Sequence, residues 1–256
     1  MEIYINSFKN IVTGIPTTLS LTVISILLAL ALGVLISIGL LAKNRIIRGV
    51  CRFICAFLKG VPILVFLYMF NSAIDGIMGW FDTALPFYTY DIRKPPTFAF
   101  AVLGLALSYV PYMADMIITA MSTIPVGQFE ACDAGGFTKW QKFSRIIIPQ
   151  CIVIAIPNFG NHFVNLLKAS SLTCMVTIME MMGEARNFAT MSQKFLECYI
   201  VCALTYWAVF VVFEQFFKVV ERRFGRYLKA GVSVKKRKKF SFKFAKTSEK
   251  VVGEVS

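Results

Sequence analysis

Long uncharged apolar runs restrict what this chain can fold into. No residue from Asn10 to Ala42 is charged, and several later stretches are nearly as apolar. A hydrocarbon core about 30 Å thick needs about 20 apolar residues for each helical span. The composition, 57% hydrophobic and 16% charged residues, also lies outside the usual range of soluble domains. We therefore predict an all-α integral membrane protein.

Five segments have the length and composition of transmembrane helices. Their predicted bounds are 15–41, 53–70, 97–121, 146–167 and 198–217. The second segment is irregular. Its uncharged stretch, Gly60–Ile74, is too short to cross the membrane alone, and Pro62 favours a kink. Lys59 therefore either reaches the headgroups or faces the bundle interior. The spans form a transmembrane domain over residues 1–230, and residues 231–256 have the composition of a disordered basic tail.

The charge distribution predicts the orientation of the spans. Segment 43–59 carries five basic residues and no acidic one, and the chain from Lys218 onward has thirteen basic residues against three acidic. Segments 71–96 and 168–197 carry no such excess. Since Lys and Arg accumulate on the cytoplasmic side, we expect the N-terminus outside and the C-terminus in the cytosol. The basic tail favours contact with membrane lipid and not with nucleic acid.

A polar insertion at residues 122–149 separates the third and fourth spans. Pro125 suits the start of a helix, and Gly135-Gly136 suits its end. Thr138 and Gln141 then have the spacing of a capping box that opens a second helix. Lys139, Lys142 and Arg145 are expected on one face of that helix. The sequence predicts a short helical hairpin in the cytosol.

Catalytic and metal-binding groups are sparse. The seven cysteines are scattered without a CxxC pair, and the chain has one histidine, so we expect no metal site and no catalytic residues. The sequence also lacks a G-x-x-x-x-G-K-[ST] phosphate-binding loop. We therefore expect no cofactor on this chain and no enzymatic activity of its own.

The hairpin carries the residues of a family motif. Glu130-Ala131-Cys132, Gly136, Ile146, Ile148 and Pro149 follow the pattern E-A-A, three residues, G, nine residues, I-x-L-P. This pattern resembles the signature loop of the membrane subunits of ATP-binding-cassette (ABC) importers, with Cys132 and Ile148 as conservative departures. Residues 10–230 further resemble the polar-amino-acid permease branch. The similar segments are GIPTTLSLT, FLKGVPILV and GNHFVNLLKASSL.

The resemblance implies a permease subunit in a bacterial cytoplasmic membrane. Its expected partners are two cytosolic ATPase subunits that hold the ATP, an identical or related permease chain, and an extracytoplasmic substrate-binding protein. The short helix of the loop would dock on an ATPase, as a coupling helix. The matching coupling residues are Glu130, Ala131, Gly136 and Pro149.

Polar residues of the fourth span are the candidates for a substrate path. Asn158, Asn161, His162 and Asn165 share one side of a helix, where they either join helices by hydrogen bonds or face a ligand. Lys168 and Ser171 either receive a substrate carboxylate or lie at the outer headgroups. Related permeases often have Glu at the position of His162. A neutral imidazole disfavours cationic amino acids, so a polar amino acid such as cystine is expected.

Two other classes of membrane protein would have a similar hydropathy. A small oligomeric channel should show a polar pore helix, and a secondary transporter should show internal repeats; neither feature is evident.

Asp115 is a further polar residue within the third span. The family usually has Arg soon after this acid, but Ile118 and Thr119 occupy the corresponding positions, so the usual ion pair is not expected.

Overall fold

The computed structural model describes residues 2–84 and 96–231, with side chains described for 2–80 and 96–225. These residues form helices and turns, and no strand occurs among them. Five helical stretches are long and apolar enough to cross a membrane, namely Glu2–Leu41, Ile63–Trp80, Thr97–Ser122, Lys139–Val176 and Phe195–Gly225. The predicted all-α fold with five spans is thus confirmed. Two parts of the sequence prediction lie outside the described residues. These are the basic tail, apart from Gly231, and the charges of Asp91, Arg93 and Lys94.

Ten α-helices follow one another along the described chain. They are α1 (Glu2–Thr13), α2 (Ile15–Leu41), α3 (Arg45–Gly60), α4 (Ile63–Ala84), α5 (Thr97–Ser122), α6 (Val126–Ala134), α7 (Lys139–Lys142), α8 (Ile148–Ala169), α9 (Met181–Ser192) and α10 (Phe195–Gly231). A π-helical segment, Phe143–Ile147, joins α7 to α8, and a 3₁₀ segment, Ser170–Val176, follows α8.

The first two spans show where the sequence prediction succeeds and where it is wrong. Helix α2 has the predicted bounds, but α1 was not foreseen. The predicted second span, 53–70, runs across a break at Val61 and Pro62, where α3 ends and α4 begins. Pro62 has no amide hydrogen to continue the helix, and its ring clashes with the preceding turn. The predicted kink is therefore a full interruption, and the apolar helix of this region is α4.

Helix α5 occupies the centre of the bundle. Leu105 and Met113 are fully buried on α5, and Leu21 is fully buried on α2. At Gly33 the two helices are so close that a Cβ there would lie 2.6 Å from the Cβ of Met113. The absence of a side chain at this one position allows the close crossing. Helices α3, α4 and α8 pack around this pair and complete the core.

A buried carboxylate fixes the loop that precedes α9. Glu180 is fully buried, and its Oε1 accepts a hydrogen bond from the Gly183 amide at 2.9 Å. The Tyr206 hydroxyl of α10 donates to Oε2 at 2.5 Å, and the Thr18 hydroxyl of α2 lies 3.4 Å from the same oxygen. Burial raises the pKa of Glu180, while these donors oppose that shift. The loop is thereby joined to both α2 and α10.

Candidate functional site

The polar insertion between α5 and α8 folds as the predicted hairpin. Pro125 precedes α6 in an extended conformation, and Gly136 ends the turn after α6 with φ of 72°. Positive φ values are strained for residues with a Cβ, so glycine suits this corner. The amide of Gln141 donates to Thr138 Oγ1 at 3.3 Å, and the amide of Thr138 donates to Gln141 Oε1 at 3.0 Å. The predicted capping box is confirmed.

The two arms of the hairpin are held together by charge and by aromatic packing. Lys142, at the end of α7, forms an ion pair and hydrogen bond with Asp133 of α6. The rings of Phe129 and Phe143 meet edge to face, with centroids 6.5 Å apart. Cys132 is the buried residue of α6. These contacts brace the two arms of the hairpin against each other.

The expected basic face of the second arm is not formed. Lys142 is buried, with a side chain only 11% exposed, because it turns toward Asp133 instead of toward solvent. The helix is also interrupted after Lys142, since the next five residues are π-helical. Lys139 and Arg145 remain exposed. The prediction of one continuous basic side at Lys139, Lys142 and Arg145 was therefore wrong.

The motif residues lie on accessible parts of this hairpin. Glu130 and Ala131 are exposed on α6, and Gly136 is exposed at the corner. Pro149 is exposed in the first turn of α8, directly after the π-helical segment Phe143–Ile147. Val126 begins α6 with 71% of its surface exposed. The free face of α6 is thus available to another protein.

The polar side chains of α8 form one stripe, as predicted from their spacing. Asn158, Asn161 and Asn165 are exposed, and His162 is half-buried. Within the described part of the chain, none of the three asparagine side chains has a hydrogen-bond partner. Unpaired amides inside a membrane are costly. This stripe therefore requires water, a ligand or another subunit opposite it.

Lys168 lies at the end of α8 and Ser171 lies in the 3₁₀ segment that follows, and neither joins the stripe through direct contacts. The Lys168 ammonium lies 5.6 Å from the centre of the Phe210 ring on α10. The Ser171 hydroxyl donates locally to the carbonyl of Lys168 at 2.8 Å. Lys168 is exposed at this position. Its ammonium is accessible, whereas the hydroxyl of Ser171 already has an acceptor.

An ion pair next to His162 was missed by the sequence analysis. Lys59 Nζ lies 2.5 Å from Asp115 Oδ2, so Lys59 joins the end of α3 to α5. The same ammonium lies 5.9 Å from the ring centre of Tyr112, and the Tyr112 and His162 rings are 5.8 Å apart. Lys59 therefore faces the bundle, and Asp115 has an ion-pair partner that comes from α3 and not from α5. The two positions are 56 residues apart, and no local spacing pattern marks such a pair.

Metal binding finds no support in the described ranges, 2–84 and 96–231. No group of three or more His, Cys, Asp or Glu side chains comes together there in a geometry that could hold an ion. The arrangement offers instead a braced hairpin and a polar stripe.

Sequence comparisons place these features in a known family. Residues 25–226 match the family model described as "Binding-protein-dependent transport system inner membrane component". The probable amino-acid permease protein YxeN of Bacillus subtilis (strain 168) is 30% identical over 223 residues, which cover 86% of this chain and 94% of YxeN. The L-cystine transport system permease protein TcyL of the same organism is 32% identical over 209 residues, covering 82% and 84%.

Structural comparison supports the same fold. A chain from the crystal structure of an amino acid ABC transporter with histidines aligns with a TM-score of 0.71 at 24% identity, covering 86% of this chain and 96% of that chain. A chain of the inward-facing MetNI methionine ABC transporter aligns with a TM-score of 0.60 at 15% identity, covering 82% and 95%. The chain therefore belongs to the family of binding-protein-dependent transport system inner membrane components.

Proposed function

We propose that this chain is the membrane-spanning permease subunit of an ABC importer for a polar amino acid, in a bacterial cytoplasmic membrane. The observation that carries the proposal is the braced hairpin at 122–149, which presents Glu130 and Ala131 on an exposed helix. Relatives named as amino-acid and L-cystine permeases support the substrate class. ATP would be bound and hydrolysed by a separate subunit.

The hairpin would transmit motion from that ATPase to the spans. Helix α6 would dock on the ATPase, and Gly136 would maintain the sharp corner behind it. The ion pair between Asp133 and Lys142 would keep the two arms from separating when the ATPase moves. Because the second arm continues into α8, displacement of α6 would reorient the helix that carries the polar stripe.

The polar stripe of α8 would line the substrate path. Asn158, Asn161 and Asn165 offer amide donors and acceptors that a zwitterionic amino acid can use, and His162 would contribute to side-chain selection. Lys168 would receive a substrate carboxylate near the outer end, with Ser171 beside it. A second permease chain, identical or related, would close the path opposite α8. An extracytoplasmic binding protein would deliver the amino acid.

The charge distribution supports an orientation with the N-terminus outside and the hairpin in the cytosol. Arg45, Arg48 and Arg52 lie on α3, which follows the first span, and the hairpin follows the third span. An odd number of spans between the termini puts them on opposite sides. Both basic segments then fall on the same side, in agreement with the positive-inside rule.

Reconstituted vesicles test the proposal. With the full set of subunits, uptake of the cognate amino acid should require ATP on the hairpin side. Glu130→Ala should reduce uptake by at least about tenfold, a loss of about 1.4 kcal/mol of coupling, while the chain still inserts and binds its partner permease. Glu221→Ala is a matched control, because Glu221 is also an exposed acid but lies on α10.

The alternatives predict different outcomes in the same vesicles. A channel would pass solute through the purified chain without ATP or an ATPase. A secondary transporter would respond to an ion gradient and ignore ATP. Equal uptake by the Glu130→Ala and Glu221→Ala variants would also contradict the proposed role of the hairpin.

A further inference from the structure

Helix α3 has three distinct faces. At about 100° per residue, the basic residues Arg45, Arg48, Arg52 and Lys59 fall within about 60° of one another around the axis. A second face, with Cys55 and Leu58, is buried against the bundle. The third face carries four exposed apolar side chains, and these are Ile46 (77%), Val50 (52%), Phe53 (72%) and Phe57 (57%). The helix contains no acidic residue.

The positive charge of the three arginines is not neutralised within the described chain. Lys59 is paired with Asp115. In contrast, no carboxylate of the described residues lies within salt-bridge distance of Arg45, Arg48 or Arg52. Three guanidinium groups on two successive turns therefore present an uncompensated positive stripe. Guanidinium groups bind phosphate oxygens in a planar, bidentate geometry.

Small residues separate the arginine stripe from the exposed apolar face. Gly49, Ala56 and Gly60 fall between the two faces, all three are exposed, and no atom lies within 4 Å of a Cβ built at either glycine. The surface between the charged and apolar stripes is consequently low and open. A molecule with a phosphate at one end and hydrocarbon at the other can contact both stripes across it.

We propose that this surface of α3 binds an anionic phospholipid. Its phosphate would lie on Arg45, Arg48 and Arg52, and its acyl chains would cross the small residues to Phe53 and Phe57. Charge complementarity selects an anionic ligand, and the exposed apolar stripe selects a lipid over a free phosphate. An acidic protein surface would satisfy the arginines but would leave four large apolar side chains uncovered. The inference depends on the membrane location of the chain and not on the amino-acid substrate.

The site lies close to the part of the chain that carries the ion pair. Helix α3 ends at Gly60, one residue after Lys59, and the break at Pro62 follows. A lipid held along α3 would therefore restrain the helix whose end is joined to Asp115. We expect bound anionic lipid to limit the movement of α3 relative to α5.

Native mass spectrometry of the full-length chain, purified with its partner subunits, tests this proposal. Phosphatidylglycerol should be retained in preference to phosphatidylcholine. Arg45→Gln/Arg48→Gln/Arg52→Gln should lower that preference on the order of a hundredfold, because each basic residue near an anionic surface accounts for a factor of about five. Lys9→Gln/Arg186→Gln/Lys194→Gln removes the same charge from exposed sites outside α3 and should leave the preference unchanged.

Two further measurements separate the proposal from its competitors. Glycerol phosphate, which has the phosphate without acyl chains, should not displace the lipid, and Phe53→Ser/Phe57→Ser should weaken retention without abolishing the preference for the anionic headgroup. The proposal is overturned if the two triple variants behave alike, or if glycerol phosphate competes as well as the lipid does. It is also overturned if the arginine variant retains the lipid but loses its ATPase partner, because α3 would then be a protein-docking surface. Unchanged solubility and membrane insertion of each variant show that folding is intact.

Discussion

At the scale of single residues, Glu180 is completely buried, and its carboxyl group accepts hydrogen bonds from neighbouring donors instead of pairing with a cation. Tyr206 supplies the shortest of these bonds, at 2.5 Å. Tyr206→Phe should lower the free energy of unfolding by about 1–3 kcal/mol, because a buried carboxylate loses a donor that the new ring cannot replace. Thermal unfolding in detergent measures this change. Tyr199→Phe, also on α10, is the control, and equal midpoints for the two variants would contradict the assigned role.

The ionisation of Glu180 should also be visible in the pH dependence of stability. Its pKa is raised above the ordinary value of 4.5 by burial. A raised carboxyl pKa means that the folded state binds the proton more tightly than the unfolded state. The stabilisation that this tighter proton binding gives to the folded state is complete below the unfolded-state pKa. It is lost as pH rises through the folded-state pKa. Wild type should therefore lose stability relative to Glu180→Gln as pH rises from 4.5. A difference that is independent of pH would refute this.

His162 is the residue at which substrate selection can be changed most directly. It lies in the stripe of α8, and its ring is 5.8 Å from that of Tyr112. His162→Glu should shift competition profiles toward cationic amino acids, since a carboxylate supplies the counter-charge that a neutral imidazole lacks. Uptake inhibition by a panel of amino acids measures this shift. His162→Gln is the uncharged control, and identical profiles for both variants would show that His162 does not face the ligand.

At the scale of elements, the hairpin depends on the backbone conformation of one glycine. Gly136→Val places a β-branched side chain at φ of 72°, which costs at least about 1–2 kcal/mol. We expect uptake to fall by about tenfold while the transmembrane helices remain inserted. Gly225→Ala is the control, because Gly225 lies on α10, outside the hairpin, and a Cβ added there would meet no atom within 4 Å. Normal transport by the Gly136→Val variant would mean that the corner is not required.

The elements that could be predicted from the sequence are those with local signals. The bounds of α2, the capping box at Thr138 and the end of α6 at the double glycine each depend on residues within a few positions of one another. Pro62 likewise marked the interruption after α3, although it could not show that the apolar span is α4. Helix α1 was missed because Lys9 and several polar side chains obscure its apolar face.

The contacts that could not be predicted join residues that are distant in sequence. Lys59 finds Asp115 only because α3 packs beside α5, and Glu180 is buried only because Thr18 and Tyr206 converge on it. Lys142 was expected on one basic face with Lys139 and Arg145, yet the turn brings Asp133 to it. The stripe on α8 was predictable from helical periodicity. Whether it faces a ligand depends on what lies opposite, which the spacing of residues cannot reveal.

At the scale of the whole molecule, the exposed surfaces indicate that one chain is a part of a larger assembly. The α8 stripe leaves amides unpaired within a span, and α6 leaves a braced helix projecting from the bundle. The apolar surfaces of the spans suit contact with lipid. A transporter that contains two permease chains and two ATPases would cover the first two surfaces and leave the third to the membrane.

Site-specific photo-crosslinking from α6 in intact cells tests the central claim most directly. A photoreactive residue in place of Val126, which is 71% exposed, should capture a nucleotide-hydrolysing ATPase subunit. The same probe in place of Leu204, which is 59% exposed on α10, should not capture it. An ATPase adduct from position 126 alone is the predicted result. Absence of that adduct from position 126, in cells that retain active uptake, would contradict the account.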